Sequence, residues 1–232
     1  MSTLSDQVTE LSPVTGHVRY SHDRYRSAHT EAAKQAAAQY LSAIKGPITG
    51  SDIYNYMSAD RDSRALPQIL LQSWRAGRLQ VEALRYWLPP GWTIATTPHV
   101  NLTNEEWLEL CNAAGFVSGI GLSMFLEHGF RGGPVAHRLV AAPPHRLTLY
   151  RGAPYKYRAG WSWTPDAHTA MRFAAAPKAM NTMHGRGMLW LSVVPAGSIL
   201  MHIANPSFDE YVVNTAGLDI WPARHVPNWD GP

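Results

Sequence analysis

The sequence predicts an α+β fold, helical in its N-terminal portion and strand-rich in its C-terminal portion, and three observations carry that expectation. The stretch AHTEAAKQAAAQYLSAI at 28–44 is built from strong helix formers. By contrast MLWLSVV at 188–194 is a continuous apolar run cut off by Pro195-Ala196-Gly197. The third observation is composition: nine Trp with 18 Gly and 17 Pro in 232 residues describe many short elements, not a helical bundle. The change of character falls at Pro143-Pro144. It divides the chain into a loose start at 1–20, a helical region at 21–140 and a strand-rich core at 141–232, able to pack with the helices as one domain.

Each element has a local reason. The first helix, Ala28 to Ile44, stops at Gly46-Pro47, and a second covers Gly50 to Met57. A third runs from about Ala65 to Ala76 and ends near Gly77, with a continuation to Trp87 that Pro89-Pro90 should halt. Thr103-Asn104-Glu105-Glu106 reads as a capping box opening a helix whose apolar members are Trp107, Leu108, Leu110, Cys111 and Ala114, closed by Gly115. The glycine-punctuated stretch from Gly119 to Gly133 has no assignable element. Arg146 to Arg151 alternates as a strand, Met188 to Val194 suits a strand buried on both faces, and Tyr211-Val212-Val213 is a third strand. Thr164 to Ala176 runs cap, Pro, acid, then alanines, and so predicts a helix.

Composition excludes several classes of function. Cys111, the only cysteine, rules out an intrachain disulfide and every multi-cysteine zinc site, favours a reducing compartment, and reads as a buried structural thiol. Met1 to Arg19 lacks a basic start followed by an apolar core, and no apolar run approaches the roughly 20 residues that span a bilayer. A soluble, cytoplasmic chain with no membrane partner is therefore expected. The net charge of +3 is too small to argue for nucleic acid. There is no His-Glu-x-x-His, no phosphate loop and no Gly-x-Ser-x-Gly elbow, and the eleven histidines read as surface or hydrogen-bonded residues, so no metal is expected. Gly119-Ile120-Gly121 is half a dinucleotide fingerprint, with Met124 in the third glycine's place.

Three pieces on the strand-rich half remain: Tyr150-Arg151-Gly152 at a strand end, Gly160-Trp161-Ser162-Trp163-Thr164 leading into a helix, and Phe208-Asp209-Glu210-Tyr211-Val212-Val213 opening a strand. In this order they resemble the Arg, Ser, Glu signature of the mono-ADP-ribosyltransferases, a family shared by bacterial toxins and many phage and bacterial proteins. The resemblance covers roughly residues 145 to 218 and extends to DAHTAMRFA at 166–174 as the helix after the Ser segment. It implies an ADP-ribosyltransferase-like split antiparallel two-sheet core with the nicotinamide cleft between the sheets, and a location in the cytoplasm, the host's if the chain is phage-encoded. NAD would be consumed as a substrate. The partner would be an acceptor of unknown class, protein, nucleobase, nucleic acid or small molecule.

The resemblance also implies roles. Cleaving the nicotinamide-ribose bond builds positive charge on the sugar, as in glycoside hydrolysis, so the carboxylate of Glu210 would hold the ribose 2′-hydroxyl and stabilise that cation. Arg151 suits the pyrophosphate or its adjoining ribose. Gly152 would let the backbone approach the nicotinamide amide. Ser162 would hydrogen-bond Glu210 and hold its rotamer, and Trp163, Tyr155 or Phe173 would stack on the nicotinamide ring. Plain alternatives stand beside these: Arg151 ending an exposed strand, Ser162 a turn residue, Glu210 a solvated acid beside Asp209, Trp161 and Trp163 core residues. Thr164 is a ligand by resemblance and a helix N-cap by its place before Pro165 and Asp166.

Two departures bear on the acceptor and on the NAD site. Arginine-modifying members carry an acid two residues before the Glu and others a Gln, and Phe208 stands there in this chain. An acceptor other than arginine follows. The interval from Arg151 to Ser162 is short for the toxins, so other segments, among them the helices before residue 140, would have to complete the NAD site. A local basic cluster, Arg131, His137, Arg138, His145, Arg146, Lys156 and Arg158, lies just before or within this region. Besides a transferase, the residues are compatible with an NAD glycohydrolase or a non-catalytic module that binds a nucleotide or host factor.

Overall fold

The computed structural model describes residues 14–59, 63–94, 101–121, 141–175, 187–204 and 209–223, with side chains from residue 29 onward. Helix α1 (Val14–Ala43) begins well before the predicted Ala28 and takes in residues 14–20, which the sequence leaves loose. Its polar first half carries no helix signal of its own. Once the alanine-rich turns at 32–38 exist, each added residue costs far less than nucleation.

Helix α2 (Gly50–Ser58) opens with a capping box that the sequence reading missed: Thr49 Oγ1 accepts from the Asp52 amide at 3.3 Å, and Asp52 Oδ2 accepts from the Thr49 amide at 2.8 Å. Helix α3 (Leu66–Arg75) has Pro in its first turn and gives way to Gly77 at a φ of 65°, as expected. Helix α4 (Val81–Ile94) runs through Pro89-Pro90, where the sequence predicts a stop. Packing overrides the propensity. Both prolines are buried, and Pro89 presses on Gly119 so closely that a Cβ there would lie 2.6 Å from Pro89 Cγ. The Thr93 hydroxyl donates to the carbonyls of Pro89 and Pro90 at 3.2 and 3.1 Å.

Helix α5 (Asn104–Ala114) follows the predicted box in full. Thr103 Oγ1 accepts from the Glu106 amide at 3.2 Å, Glu106 Oε2 accepts from the Thr103 amide at 2.9 Å, and Gly115 closes the helix at a φ of 68°. Thr103→Ala is expected to cost about 1 kcal/mol, read as a lower urea midpoint at unchanged slope. The buried Cys111 on this helix has its thiol pushed up to about 12 by desolvation. It is therefore expected to resist a thiol reagent at pH 8 in the folded protein and to react at once in denaturant.

Strands β1 (Val117–Ile120), β2 (Leu147–Ala153) and β3 (Ser162–Trp163) come next, then helix α6 (Ala167–Ala175), then β4 (Met188–Val194), β5 (Ile199–Ala204), β6 (Asp209–Val213) and β7 (Trp221–Pro222). They form two small sheets, one ordered β1-β5-β6-β3 and one ordered β2-β4-β7. The α+β class is as expected, and the sheets are split. Not every pairing is antiparallel: β1, whose second half falls in the stretch left unassigned from sequence, lies parallel to β5 with Ser118 opposite His202. Among the described residues the sheets are joined where Tyr150 and Thr164 exchange backbone hydrogen bonds of 2.7 and 2.9 Å.

Strand β4 is not buried on both faces. Trp190, Ser192 and Val194 are buried on one face, while on the other Leu189 and Leu191 are half-buried and Val193 is exposed, so only one face of the run is fully covered. Helix α6 starts two residues later than Thr164 would set it, because Asp166 is the cap. Its carboxylate accepts from the amides of His168 at 3.0 Å and Thr169 at 3.2 Å.

Two apolar clusters fill the interior. One unites α1 to α5 with Trp161, Met201, Ile203 and Val212, and the other joins Leu149, Ala153, Trp163, Trp190, Val194, Ile199 and Val213 between the sheets. The helical region is thus packed on the first sheet through a shared core.

Candidate functional site

Strand register decides where the predicted residues fall. On β3 and β6, Ser162 pairs with Val212 and Trp163 with Tyr211, so Ser162, Val212 and Glu210 lie on one face and Trp163 and Tyr211 on the other. The Glu210 face looks toward the helices. Its residue is 8% exposed, and its Oε1 accepts from the indole Nε1 of Trp92 at 3.0 Å, across 118 residues of sequence.

Arg151 reaches the same neighbourhood from the second sheet. Its Nη1 donates to the Ser162 carbonyl at 2.7 Å and its Nε to the Tyr157 carbonyl at 3.0 Å. The guanidinium lies over Gly160, where a Cβ would come within 2.7 Å of Arg151 Cζ. That close passage is the physical reason for glycine before Trp161-Ser162. Burial lowers the Arg151 pKa to about 10, and the negative charge of Glu210 acts in the opposite direction, so the group stays cationic at neutral pH. Arg151 is therefore not an exposed strand end, and Glu210 is not a solvated surface acid.

Other predicted roles are corrected. Among the described residues no hydrogen bond joins Ser162 to Glu210. The register sets them diagonally, on one face but not directly opposite. Trp92 holds Glu210 in its place. Trp163 is 1% exposed, donates its indole N–H to the Gly160 carbonyl at 2.7 Å, and belongs to the inter-sheet core, so neither ring face is open for stacking. Thr164 is buried, bridges the sheets through its backbone, and accepts from the Asp166 amide through Oγ1, which leaves it neither the cap nor an open ligand.

Gly152 has a packing reason. A Cβ on it would overlap the Ala170 carbonyl and lie 2.5 Å from the Ala174 amide, because α6 lies directly on β2. By strand alternation Arg151 points to the opposite face. Phe173, 43% exposed on α6, is thus on the far side of the sheet from the Arg151 guanidinium. Tyr155 is 62% exposed and sits in the short 3₁₀ turn whose Tyr157 carbonyl holds Arg151. The Arg158 guanidinium lies 4.1 Å from its ring centroid. Of the aromatic candidates, Tyr155 is the open one on the Arg151 side.

A second polar group was not visible in the sequence. Ser118 Oγ lies 2.9 Å from His202 Nδ1, and His202 Nε2 lies 3.2 Å from Asp209 Oδ1. In the neutral imidazole with Nε2–H turned to the carboxylate, Nδ1 accepts from the serine hydroxyl. These are the residue types of a nucleophilic triad, yet Ser118 is 4% exposed inside the sheet, and the chain serves to pin β1 and β6 to β5. Nothing in the local sequence announces it, since the three residues come together only through strand pairing.

Among the described residues no helix is long and apolar enough to cross a membrane, and no group of three or more His, Cys, Asp or Glu side chains could hold a metal ion. Arg131, His137, Arg138 and Phe208 lie outside the described residues. Compared with family models, curated proteins and solved structures, the chain matches none.

Proposed function

We propose that the chain is an NAD-dependent mono-ADP-ribosyltransferase. The observation that carries this reading is a buried carboxylate, Glu210, whose charge acts on the Arg151 guanidinium beside the Ser162 backbone. Arg151 grips the Ser162 carbonyl at 2.7 Å, and Glu210 lies on the neighbouring strand and on the face Ser162 occupies, near enough for its charge to act on the guanidinium. A half-buried cation beside a buried carboxylate suits a dinucleotide whose phosphates are anionic and whose ribose becomes cationic during reaction.

In the proposed reaction the bond from the ribose C1′ to the nicotinamide nitrogen breaks, and its electron pair leaves with nicotinamide. The sugar passes through an oxocarbenium-like state that the Glu210 carboxylate stabilises while accepting the 2′-hydroxyl. The acceptor's nucleophile then bonds to C1′ and loses its proton. With Phe208 two residues before Glu210, the acceptor is a side chain other than arginine, a nucleobase, a small molecule, or water, the last giving NAD glycohydrolysis. Tyr155, 62% exposed, has one ring face under Arg158 and would offer the other to a planar base.

A second reading has its own observation. Two of the Arg151 N–H groups are spent on backbone carbonyls, which would also suit a guanidinium that only ties the Tyr157 turn to β3, in a non-catalytic module binding a nucleotide or host factor. Incubation with NAD separates the readings. Release of nicotinamide supports the enzyme and its absence the binding module. Labelled NAD with a host lysate then separates transfer, in which label appears on an acceptor, from hydrolysis, in which it appears only as free ADP-ribose.

A further inference from the structure

The carboxylate of Glu210 has one hydrogen-bond donor among the described residues, and it comes from the helical half of the chain. We infer that Trp92 is a positioning residue of this site: its indole N–H fixes Oε1 of Glu210 and leaves Oε2 as the oxygen that meets the substrate. The inference rests on the transferase reading for what the carboxylate does, and on geometry alone for the contact.

Indole is suited to this. It carries a single donor on a rigid plane and accepts nothing, so it can only hold an acceptor in place, and a bond to an ionised oxygen is among the stronger kinds. The plane is itself held. Trp161 stacks on it, with centroids 6.2 Å apart and 11° between planes, and Trp107 meets it edge-on at 5.1 Å and 71°. The backbone beneath is fixed too: a Cβ on Gly91 would come within 3.1 Å of Leu70 Cδ1, and Pro89 abuts Gly119. Turning the indole away would break the first core.

The consequence is that the helical region completes the site. Ser162, assigned this duty by resemblance, lies diagonal to Glu210, while Trp92 reaches it directly. Trp161 then has its place as well, as the ring that keeps Trp92 upright.

The test uses the full chain and two readouts. Trp92→Phe keeps a ring for stacking and removes the donor. Nicotinamide release is expected to fall about 10- to 100-fold in kcat, with KM for NAD changed less than twofold. If this variant does not fold, 3-benzothienylalanine at position 92, which replaces the N–H by sulfur within the same outline, takes its place. In urea, Trp92→Phe is expected to lower the midpoint of the wild-type chain and to lower it less in a Glu210→Leu background, since the donor then has no carboxylate to lose. Equal midpoint shifts in both backgrounds, or a wild-type kcat in the donor-less variant, would overturn the inference. A wild-type chain that releases no nicotinamide removes the transferase reading and the positioning role with it, and the urea comparison then still decides whether the contact exists.

Discussion

Glu210→Gln is expected to lower the rate of nicotinamide release by about 10²–10³-fold while the protein stays folded. Glutamine has nearly the same shape and keeps an oxygen for the Trp92 indole, so the packing of Trp92, Trp107 and Trp161 should survive. What disappears is one negative charge. On the proposed reading, that buried charge matters most where positive charge develops on the sugar, so the loss should fall on kcat more than on KM. Far-UV circular dichroism and the urea midpoint serve as controls. A Glu210→Gln protein that consumes NAD at the wild-type rate would remove the proposed activity.

Gly152→Ala should be the most damaging single methyl in the chain's described part. The added carbon would overlap the Ala170 carbonyl and crowd the Ala174 amide, both of them helix backbone that cannot rotate aside. The helix must lift from the sheet, at a cost of about 3 kcal/mol. Gly187 meets α6 in the same way, with a Cβ 2.8 Å from the Ala174 Cα. Gly197 is the control: a Cβ there meets nothing within 4 Å, and Gly197→Ala should stay within about 0.5 kcal/mol of wild type. Both effects are read from urea titrations.

Legibility in the sequence followed the range of the interactions. The Thr103 capping box and the Gly77 and Gly115 stops are written in neighbouring residues, and they form as predicted. The bounds of Met188–Val194 were also local, set by the proline after it. Elements decided by distant partners were not readable. Helix α4 passes through two prolines because its buried face is worth more than the hydrogen bonds they delete, and β1 becomes a strand only beside β5, some eighty residues later. The site divides in the same manner. Arg151, Ser162 and Glu210 sit on segments whose type could be inferred; Arg151 bonds the Ser162 carbonyl and feels the charge of Glu210, while the Ser162 hydroxyl and the Glu210 carboxylate share only a strand face. Trp92 and the Ser118-His202-Asp209 chain could not be found, because no spacing links residues joined only through tertiary packing.

The core shared by the helices with Met201, Ile203 and Val212 has a consequence for how the protein is made. During synthesis α1 to α5 leave the ribosome first, with the surface destined for β5 and β6 still uncovered. Nearly a hundred residues must follow before those strands can close it, and loop closure over such a span is slow. The helical half is therefore a waiting template, open to chaperones or to aggregation until β5 and β6 have been made. Glu210, on β6, meets Trp92 only once that strand has joined the helices, so this contact reports that the two halves have come together.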